Sequence, residues 1–232
     1  MLEFLSNVYN LRILAALMML AIATGLDIWK REINDALWIV FGVVAVVLIF
    51  FEPDLFHTLQ IIGLSMIIAP LVLVMWRLGI FGGADAFGLI VLAALAPSIS
   101  LSNNLITPFT TLTNAAIFST SPLFVNAIRN LLALSRHENI FEGIDENRIK
   151  KTFAIFLGYR AESPKYSFSM EKMVGNSKKL DFSFHNADRD TFCNTKNTWV
   201  TPGMPYMLYI ASGFVMQLLF GDIIFSVIGN LK

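Results

Sequence analysis

Charged residues are scarce in this chain. Asp, Glu, Lys and Arg make up 15% of its 232 residues, whereas a soluble domain usually carries about 25%. Hydrophobic residues make up 56%, and the mean hydropathy is +0.64. This composition excludes a soluble enzyme, a disordered regulator and a nucleic-acid binder with a basic surface. The net charge of zero identifies no polyanionic partner. From the low charge and the high hydropathy together, we expect an integral membrane protein.

Metal-binding patterns are missing as well. The single cysteine, Cys193, cannot form an internal disulfide, and no CxxC pair is present. The three histidines, His57, His137 and His185, are scattered and show no HExxH spacing. The sequence therefore predicts no metal site and no cofactor.

Long apolar segments dominate what is present. A transmembrane helix needs about 20 mostly apolar residues. Six segments approach that length: Val8–Ile28, Ala36–Phe51, Leu55–Trp76, Phe81–Leu101, Leu105–Leu132 and Pro205–Ile228. The first has no basic start and continues to Asp27, so we expect a span rather than a cleaved signal peptide. The fifth is rich in Ser, Thr and Asn, which favours contact with other helices or a wet cavity over lipid.

Most of the charge lies in one stretch near the C-terminal end. The stretch from Arg136 to Lys196 holds 11 of the 17 basic and 9 of the 17 acidic residues. We therefore predict a soluble domain inserted before the last helix. The boundaries expected are 1–134 for the first five transmembrane helices, 135–202 for the soluble domain and 203–232 for the sixth helix.

Within the insert, periodicity predicts both helix and strand. Residues Asn147–Gly158 fit an amphipathic helix, whose apolar stripe consists of Ile149, Phe153, Phe156 and Leu157. Tyr166–Met170 and Leu180–Phe184 alternate apolar and polar residues, which indicates short strands separated by a turn at 175–177. The fold class expected is an α-helical polytopic membrane protein with six transmembrane helices and a small α+β domain.

The distribution of Lys and Arg predicts the orientation. With the N-terminus outside, 15 of the 17 basic residues fall on the cytoplasmic side, and only Arg12 and Lys232 remain outside. The insert is then cytoplasmic. We expect a multi-pass protein of the cell membrane.

Three carboxylates lie at or within the ends of the predicted spans: Asp27, Asp85 and Asp222. The topology places Asp27 and Asp85 at similar cytoplasmic depth, and Asp222 near the outer end, where an interfacial or helix-capping role is expected. Ionisable residues in such positions are rare and usually functional. Asp27 and Asp85 therefore predict a catalytic dyad.

A carboxylate dyad suits peptide hydrolysis by water. One ionised carboxylate takes a proton from the water, while its protonated partner polarises the scissile carbonyl. Asp85 lies near a helix N-terminus, which favours the anion, whereas Asp27 lies near a C-terminus. This suggests Asp85 as base and Asp27 as acid, but the neighbouring Lys30 and Arg31 oppose that preference, and the assignment stays open.

Small and acidic neighbours surround the two aspartates in the sequence. Gly82, Gly83 and Ala84 remove bulk beside Asp85, so a substrate strand can approach the backbone there; helix packing is the alternative reading. Glu32 and Asp35 lie close to the first aspartate, where they are either solvated or meet a basic substrate segment. Paired intramembrane aspartates also serve proton- or ion-coupled transporters, and this is the alternative function.

Three motifs together resemble a known family. The segment Asp27–Ile33, the glycine-rich motif Gly82–Asp85, and Trp199–Pro205 followed by Gly221-Asp222 are similar to the type IV prepilin peptidases, which are GxGD-type intramembrane aspartyl proteases. Within that family, the chain resembles the archaeal preflagellin (archaellin) peptidases more closely than the bacterial enzymes. Ala84 departs from the GxGD pattern at the residue before the aspartate. The four-cysteine zinc-binding segment of many bacterial members is missing, which argues against their added N-methyltransferase activity.

The resemblance implies a function. Asp27 and Asp85 correspond to the catalytic pair. The expected substrates are preflagellins, archaeal type IV prepilins or both, cleaved at the cytoplasmic membrane face to remove a short basic class III signal peptide. Thr110, Thr111 and Thr113 are predicted to offer hydrogen bonds to the unwound scissile segment. The partners expected are these precursors and the lipid bilayer but no nucleic acid, and the oligomeric state is left open.

Overall fold

A computed structural model describes residues 8–80, 82–97, 99–100, 105–175, 177–183 and 190–230 of the chain. It forms two compact units, Met1–Phe118 with Pro205–Lys232, and Ser119–Met204. Phe81 and Leu101, the ends of the fourth predicted span, lie outside the described residues. So do Phe184 and His185.

Helices make up most of the described chain. In chain order they are α1 Val8–Lys30, α2 Ala36–Ile49, α3 Leu55–Ser65, α4 Ile68–Arg77, α5 Gly83–Leu95, α6 Phe109–Phe118, α7 Ser121–Ser135, α8 Arg148–Leu157, α9 Tyr206–Phe220 and α10 Ile223–Asn230. The strands are β1 Ile99–Ser100, β2 Leu105–Ile106, β3 Tyr159–Ala161, β4 Ser167–Ser169, β5 Glu171–Val174, β6 Ser177–Leu180 and β7 Thr198–Pro202.

Apolar helices occur in all six segments predicted to span a membrane. Three are long and apolar enough to cross a bilayer: Val8–Lys30, Leu55–Arg77 and Phe109–Ser135. Three are shorter: Ala36–Ile49, Gly83–Leu95 and Tyr206–Phe220. The mostly helical character is therefore confirmed and is consistent with a membrane protein, whereas the crossings themselves and their count of six stay predictions.

The first unit is held together by tightly packed apolar helices. On α1, Ala16, Met19, Leu20 and Ala23 are buried at helical spacing and line one face. The same core includes most of one side of α5 and α9. A buried charge lies among them, because Arg12 donates from Nε to Glu52 Oε1 over 2.6 Å and from Nη1 to the carbonyl of Ala94 over 3.1 Å. These partners are what makes burial of a guanidinium tolerable.

The second unit packs α7 and α8 beside two small antiparallel sheets. The first sheet has the order β3–β7–β4, and the second is the hairpin β5–β6. Trp199 on β7 is fully buried, donates from Nε1 to the carbonyl of Ile140 over 2.6 Å, and stacks on Phe141 with ring centroids 4.8 Å apart. The unit thus builds its core around one tryptophan, as a small domain with little apolar area must.

One strand prediction in the insert is wrong. The strand expected at Leu180–Phe184 is instead β6, Ser177–Leu180, which pairs with β5. Gly175, at φ 63°, makes a tight turn that pairs Val174 directly with Ser177, so Leu180 ends the ladder. The strand predicted at Tyr166–Met170 is β4, which pairs with β7.

The helix predicted at Asn147–Gly158 is α8. Asn147 caps its N-terminus by accepting from the backbone N–H of Lys150 over 2.8 Å. Its predicted apolar stripe is exposed rather than packed against the unit: Ile149 is 67% and Phe153 60% exposed. The compact unit that contains α8 begins at Ser119 and so includes α7; the domain boundaries expected from the sequence stay a prediction.

Candidate active site

Asp27 lies in the last turns of α1 and bonds to the first turn of α9. Its Oδ2 accepts from the backbone N–H of Met207 over 3.2 Å. Thr24 lies three residues earlier on the same helix face and donates from Oγ1 to the carbonyl of Met207 over 3.2 Å. Both backbone groups of Met207 are therefore held by α1.

Asp85 is held at the opposite kind of helix end. It is the third residue of α5, and its Oδ2 accepts from the backbone N–H of Gly82 over 3.0 Å, which closes a capping interaction at the N-cap. The residue is only 8% exposed. The N-terminus of α5 and this N–H bond are both suited to a carboxylate.

The first turn of α9 connects the two aspartates. The carboxylate of Asp85 interacts electrostatically with Tyr206, the residue before Met207. The side chain of Met207 reaches α5 one turn beyond Asp85, because a Cβ added at Gly88 would lie 2.6 Å from Met207 Cε. Asp27 and Asp85 therefore both lie near the start of α9 in this unit.

The small residues beside Asp85 have separate roles. Gly82 is the N-cap of α5. A Cβ at Gly83 would lie 3.1 Å from the ring of Trp76, and Ala84 packs against the helical core. Close helix packing, the alternative reading of these residues, thus has a direct basis at Gly83.

Glu32 and Asp35 lie on the short loop between α1 and α2, and both are exposed. Asp35 occupies the N-cap position of α2 without a side-chain capping bond. Both carboxylates follow Asp27 closely in the chain and face solvent, where a basic segment of another molecule has access to them.

The threonines of the fifth predicted span lie elsewhere. Thr111 donates from Oγ1 to Gln217 Oε1 over 2.6 Å, and Thr113 donates to Asp222 Oδ2 over 3.0 Å. Thr110 is buried on the same helix. Gln217 lies ten residues beyond Met207, or about 15 Å along α9. The structure does not bring these threonines to the aspartates, because α6 starts at the far end of α9.

Asp222 lies at the break between α9 and α10. Asn114 fixes this break by donating from Nδ2 to the carbonyl of Gly221 over 3.0 Å and accepting at Oδ1 from Ile223 N–H over 3.1 Å. Asp222 is 3% exposed. Its setting is a helix junction remote from Asp27 along α9, in keeping with the structural role expected for it.

Sequence reasoning missed four residues of this site: Thr24, Gly88, Tyr206 and Met207. Thr24 carried a signal, because a hydroxyl three residues before an intramembrane aspartate shares its helix face. Met207 carried none, since its bonds to α1 use the backbone. Within the described part of the chain, no three His, Cys, Asp or Glu side chains are grouped to hold a metal ion.

The structure is that of a mostly helical protein with three helices long and apolar enough to cross a membrane, a small sheet-containing unit, and Asp27 and Asp85 near the start of α9. Comparison with known proteins extends this description. Residues 127–223 match the family model described as Archaeal Peptidase A24 C-terminus Type II. This part of the chain is thus similar to the C-terminal region of archaeal A24 peptidases.

Curated relatives cover almost the whole chain. A preflagellin peptidase of Methanocaldococcus jannaschii is 26% identical over 223 residues, which is 90% of this chain and 93% of the relative. The preflagellin peptidase of Methanococcus maripaludis is 28% identical over 88% of this chain and 92% of its own. That of Methanococcus voltae is 26% identical over 90% and 94%. These matches confirm the resemblance stated from the sequence motifs.

Proposed function

We propose that this protein is a membrane-embedded aspartic endopeptidase that removes the short basic signal peptide from preflagellins, archaeal type IV prepilins or both. In this proposal Asp27 and Asp85 are the catalytic residues. Cleavage occurs at the cytoplasmic face, with the N-terminus of the chain outside and the insert in the cytoplasm. The relatives' activity supports the peptidase, and no comparison supports the transporter alternative.

The observation that carries the aspartic mechanism is the first turn of α9. Met207 bonds to Asp27 through its backbone, and Tyr206 interacts with Asp85. One carboxylate, on α1, thus bonds to α9, and the other, on α5, acts electrostatically on the neighbouring residue of the same helix. Such an arrangement is suited to a dyad, because small movements of α9 change both carboxylates together.

The chemistry needs one proton shared by the two carboxyl groups. The ionised carboxylate takes a proton from water as the water oxygen bonds to the scissile carbonyl carbon, and the protonated partner gives its proton to the carbonyl oxygen. In the resulting diol, the amide nitrogen receives the proton taken from water and the C–N bond breaks. The second carboxylate recovers its proton from a diol hydroxyl as the new carboxyl group forms.

Three helix ends influence which of the two aspartates is the acid and which is the base. Asp85 lies in the first turn of α5, which favours its ionised form. Asp27 lies at the C-terminus of α1 but also accepts an N–H from the first turn of α9. The helix-dipole argument for Asp27 as the acid is therefore incomplete, and we propose only that the pair shares one proton.

The test is cleavage of a tagged preflagellin by membranes that contain the full-length protein. We expect Asp27→Asn and Asp85→Asn each to lower the rate at least about 100-fold, because loss of a general acid or base usually costs that much. Asn keeps the shape of the side chain and its acceptor oxygen. Expression and membrane insertion of each variant are checked by quantitative blotting.

Asp222→Asn is the matched control, because it changes a buried aspartate at the other end of α9. It should cleave at close to the wild-type rate. Cleavage by either dyad variant at the wild-type rate would remove that aspartate from the mechanism. If the wild type cleaves no preflagellin or prepilin precursor, the substrate proposal fails while the dyad can still be tested on other membrane peptides.

A further inference from the structure

Helix α8 turns its apolar side away from the unit that contains it. Ile149 is 67%, Phe153 60% and Phe156 45% exposed, whereas Ala154, roughly on the other side of the helix, is fully buried. A surface helix normally turns its wide apolar stripe to the core. Three large exposed side chains on one stripe therefore require another apolar environment.

The charge of α8 indicates what that environment is. The helix carries Arg148, Lys150 and Lys151 and no acidic residue. Lys150 bonds to Glu146 over 2.9 Å, and Lys151 lies over the ring of Phe141 at 5.5 Å. Basic residues around a stripe of Phe and Ile are typical of helices that lie in the plane of a membrane interface, where they meet anionic lipid headgroups.

The attachment of α8 to α7 places it beside an apolar helix. Asn126 donates to the carbonyl of Phe156 over 3.2 Å, and Asn130 donates to the carbonyls of Ile155 over 2.8 Å and Gly158 over 2.7 Å. These two amides bind the last turn of α8. The end of the helix and its C-cap residue are thus fixed to α7 by three hydrogen bonds, and carbonyls at a helix C-terminus need such partners.

The attachment lies near the C-terminal end of α7. Residues 109–135 together are long and apolar enough to cross a membrane, and α7 supplies the last 15 of them. Asn130 lies five residues before the end of α7, or about 7.5 Å along its axis, so the bonds to α8 form close to where this apolar segment ends. Its neighbour Arg129 holds its guanidinium 3.7 Å from the ring of Tyr159, a pair of residue types enriched at interfaces.

We propose that α8 lies in the membrane interface, with Ile149, Phe153 and Phe156 in the lipid and its basic residues among anionic headgroups. The insert is then anchored to the bilayer by its own helix as well as by the helices that enter and leave it. This goes beyond the proposed peptidase function and does not depend on Asp27 or Asp85.

The test measures where single positions of α8 lie in the full-length protein. Cys193→Ser removes the only cysteine. Phe153→Cys then introduces a new cysteine, which is labelled with an environment-sensitive fluorophore. The labelled protein is reconstituted into vesicles of phosphatidylcholine and phosphatidylglycerol that contain a lipid with a nitroxide near its headgroup. We expect strong quenching by the nitroxide lipid and weak quenching by aqueous acrylamide.

Thr152→Cys is the matched control, because Thr152 is the exposed preceding residue and lies on the polar flank of the stripe. The ratio of lipid to acrylamide quenching should be at least about fivefold higher at position 153 than at 152, since an interfacial helix buries one face only. Thermal unfolding of both labelled proteins checks that the label leaves the fold intact.

Two outcomes overturn the proposal. Free access of acrylamide to the label at position 153 means that the stripe faces water. Protection from acrylamide without quenching by the nitroxide lipid means that protein, either a second copy or another partner, covers the stripe instead of lipid.

Discussion

Helices α9 and α6 approach each other closely at Gly213 on α9, and this approach makes a strong prediction. A Cβ added there would lie 2.5 Å from the carbonyl oxygen of Thr111 and 2.8 Å from the backbone nitrogen of Ala115. Both partners are backbone atoms of α6, so no side-chain rotation can relieve the contact. Gly213→Ala must push the two helices apart by about 1 Å to restore a normal separation.

The cost follows from two opposing effects. Overpacking costs about 1–3 kcal/mol, and a backbone partner places this case near the upper end. Replacing glycine by alanine inside a helix raises the free energy of unfolding by about 0.5–1 kcal/mol. The net loss is then about 2 kcal/mol, which lowers the midpoint of thermal unfolding by about 4–8 °C for a chain of this size.

Gly42→Ala provides the control for this prediction. Gly42 lies in the middle of α2, and a Cβ there would meet nothing within 4 Å. Only the stabilisation from replacing glycine by alanine in a helix then acts, and it should raise the midpoint of thermal unfolding by about 1–4 °C. Both variants are measured in the same detergent by intrinsic fluorescence. A midpoint for Gly213→Ala at or above that of the wild type would refute the close approach of α9 to α6.

Two further predictions concern the insert and the aspartate site. Burial raises the pKa of Glu171, but hydrogen bonds from Trp199 N–H, Lys178 and Thr198 outweigh it, so the pKa lies below the ordinary 4.5. The ionised Glu171 therefore stabilises the folded protein above about pH 4.5, and this stabilisation is lost as the pH falls through the lowered pKa. The thermal unfolding midpoints of wild type and Glu171→Gln should converge on acidification. A difference between the two midpoints that stays constant with pH would contradict this. Thr24→Val removes the hydroxyl bond to Met207, worth about 1 kcal/mol, and should lower kcat/KM for preflagellin cleavage about fivefold, whereas Thr24→Ser restores it; failure of serine to rescue would show that Thr24 does not position Met207.

The sequence singles out two aspartates as candidate site residues because charge is so rare in the apolar segments, and their catalytic role stays a prediction. Asp27 and Asp85 stand out from the sequence alone, and a topology count assigns them to one side of the membrane. Their connection through Met207 was not predictable. It depends on backbone atoms at the start of α9, about 180 residues after Asp27 in the chain, and side-chain types carry no record of such a contact.

The periodicity of the sequence predicts helix α8 but not what surrounds the apolar stripe of that helix. An apolar stripe of Ile149, Phe153 and Phe156 is equally suited to a protein core and to lipid, so the pattern alone does not distinguish them. The polarity of Thr111 and Thr113 likewise indicated a polar neighbour without saying which. Their partners Gln217 and Asp222 lie on a helix and a junction that begin about 100 residues later.

The bonds that hold the two carboxylates have a consequence for how such a site tolerates genetic change. Met207 and Gly82 bind Asp27 and Asp85 through their amide N–H groups, and every residue except proline carries the same group. Scanning these positions with alanine would leave both donors in place and register only the altered packing. Replacing the amide by an ester, or introducing proline at position 207, deletes the donor itself. Because any other substitution keeps the N–H group, the residue types at these two positions can change while both carboxylates keep their hydrogen bonds.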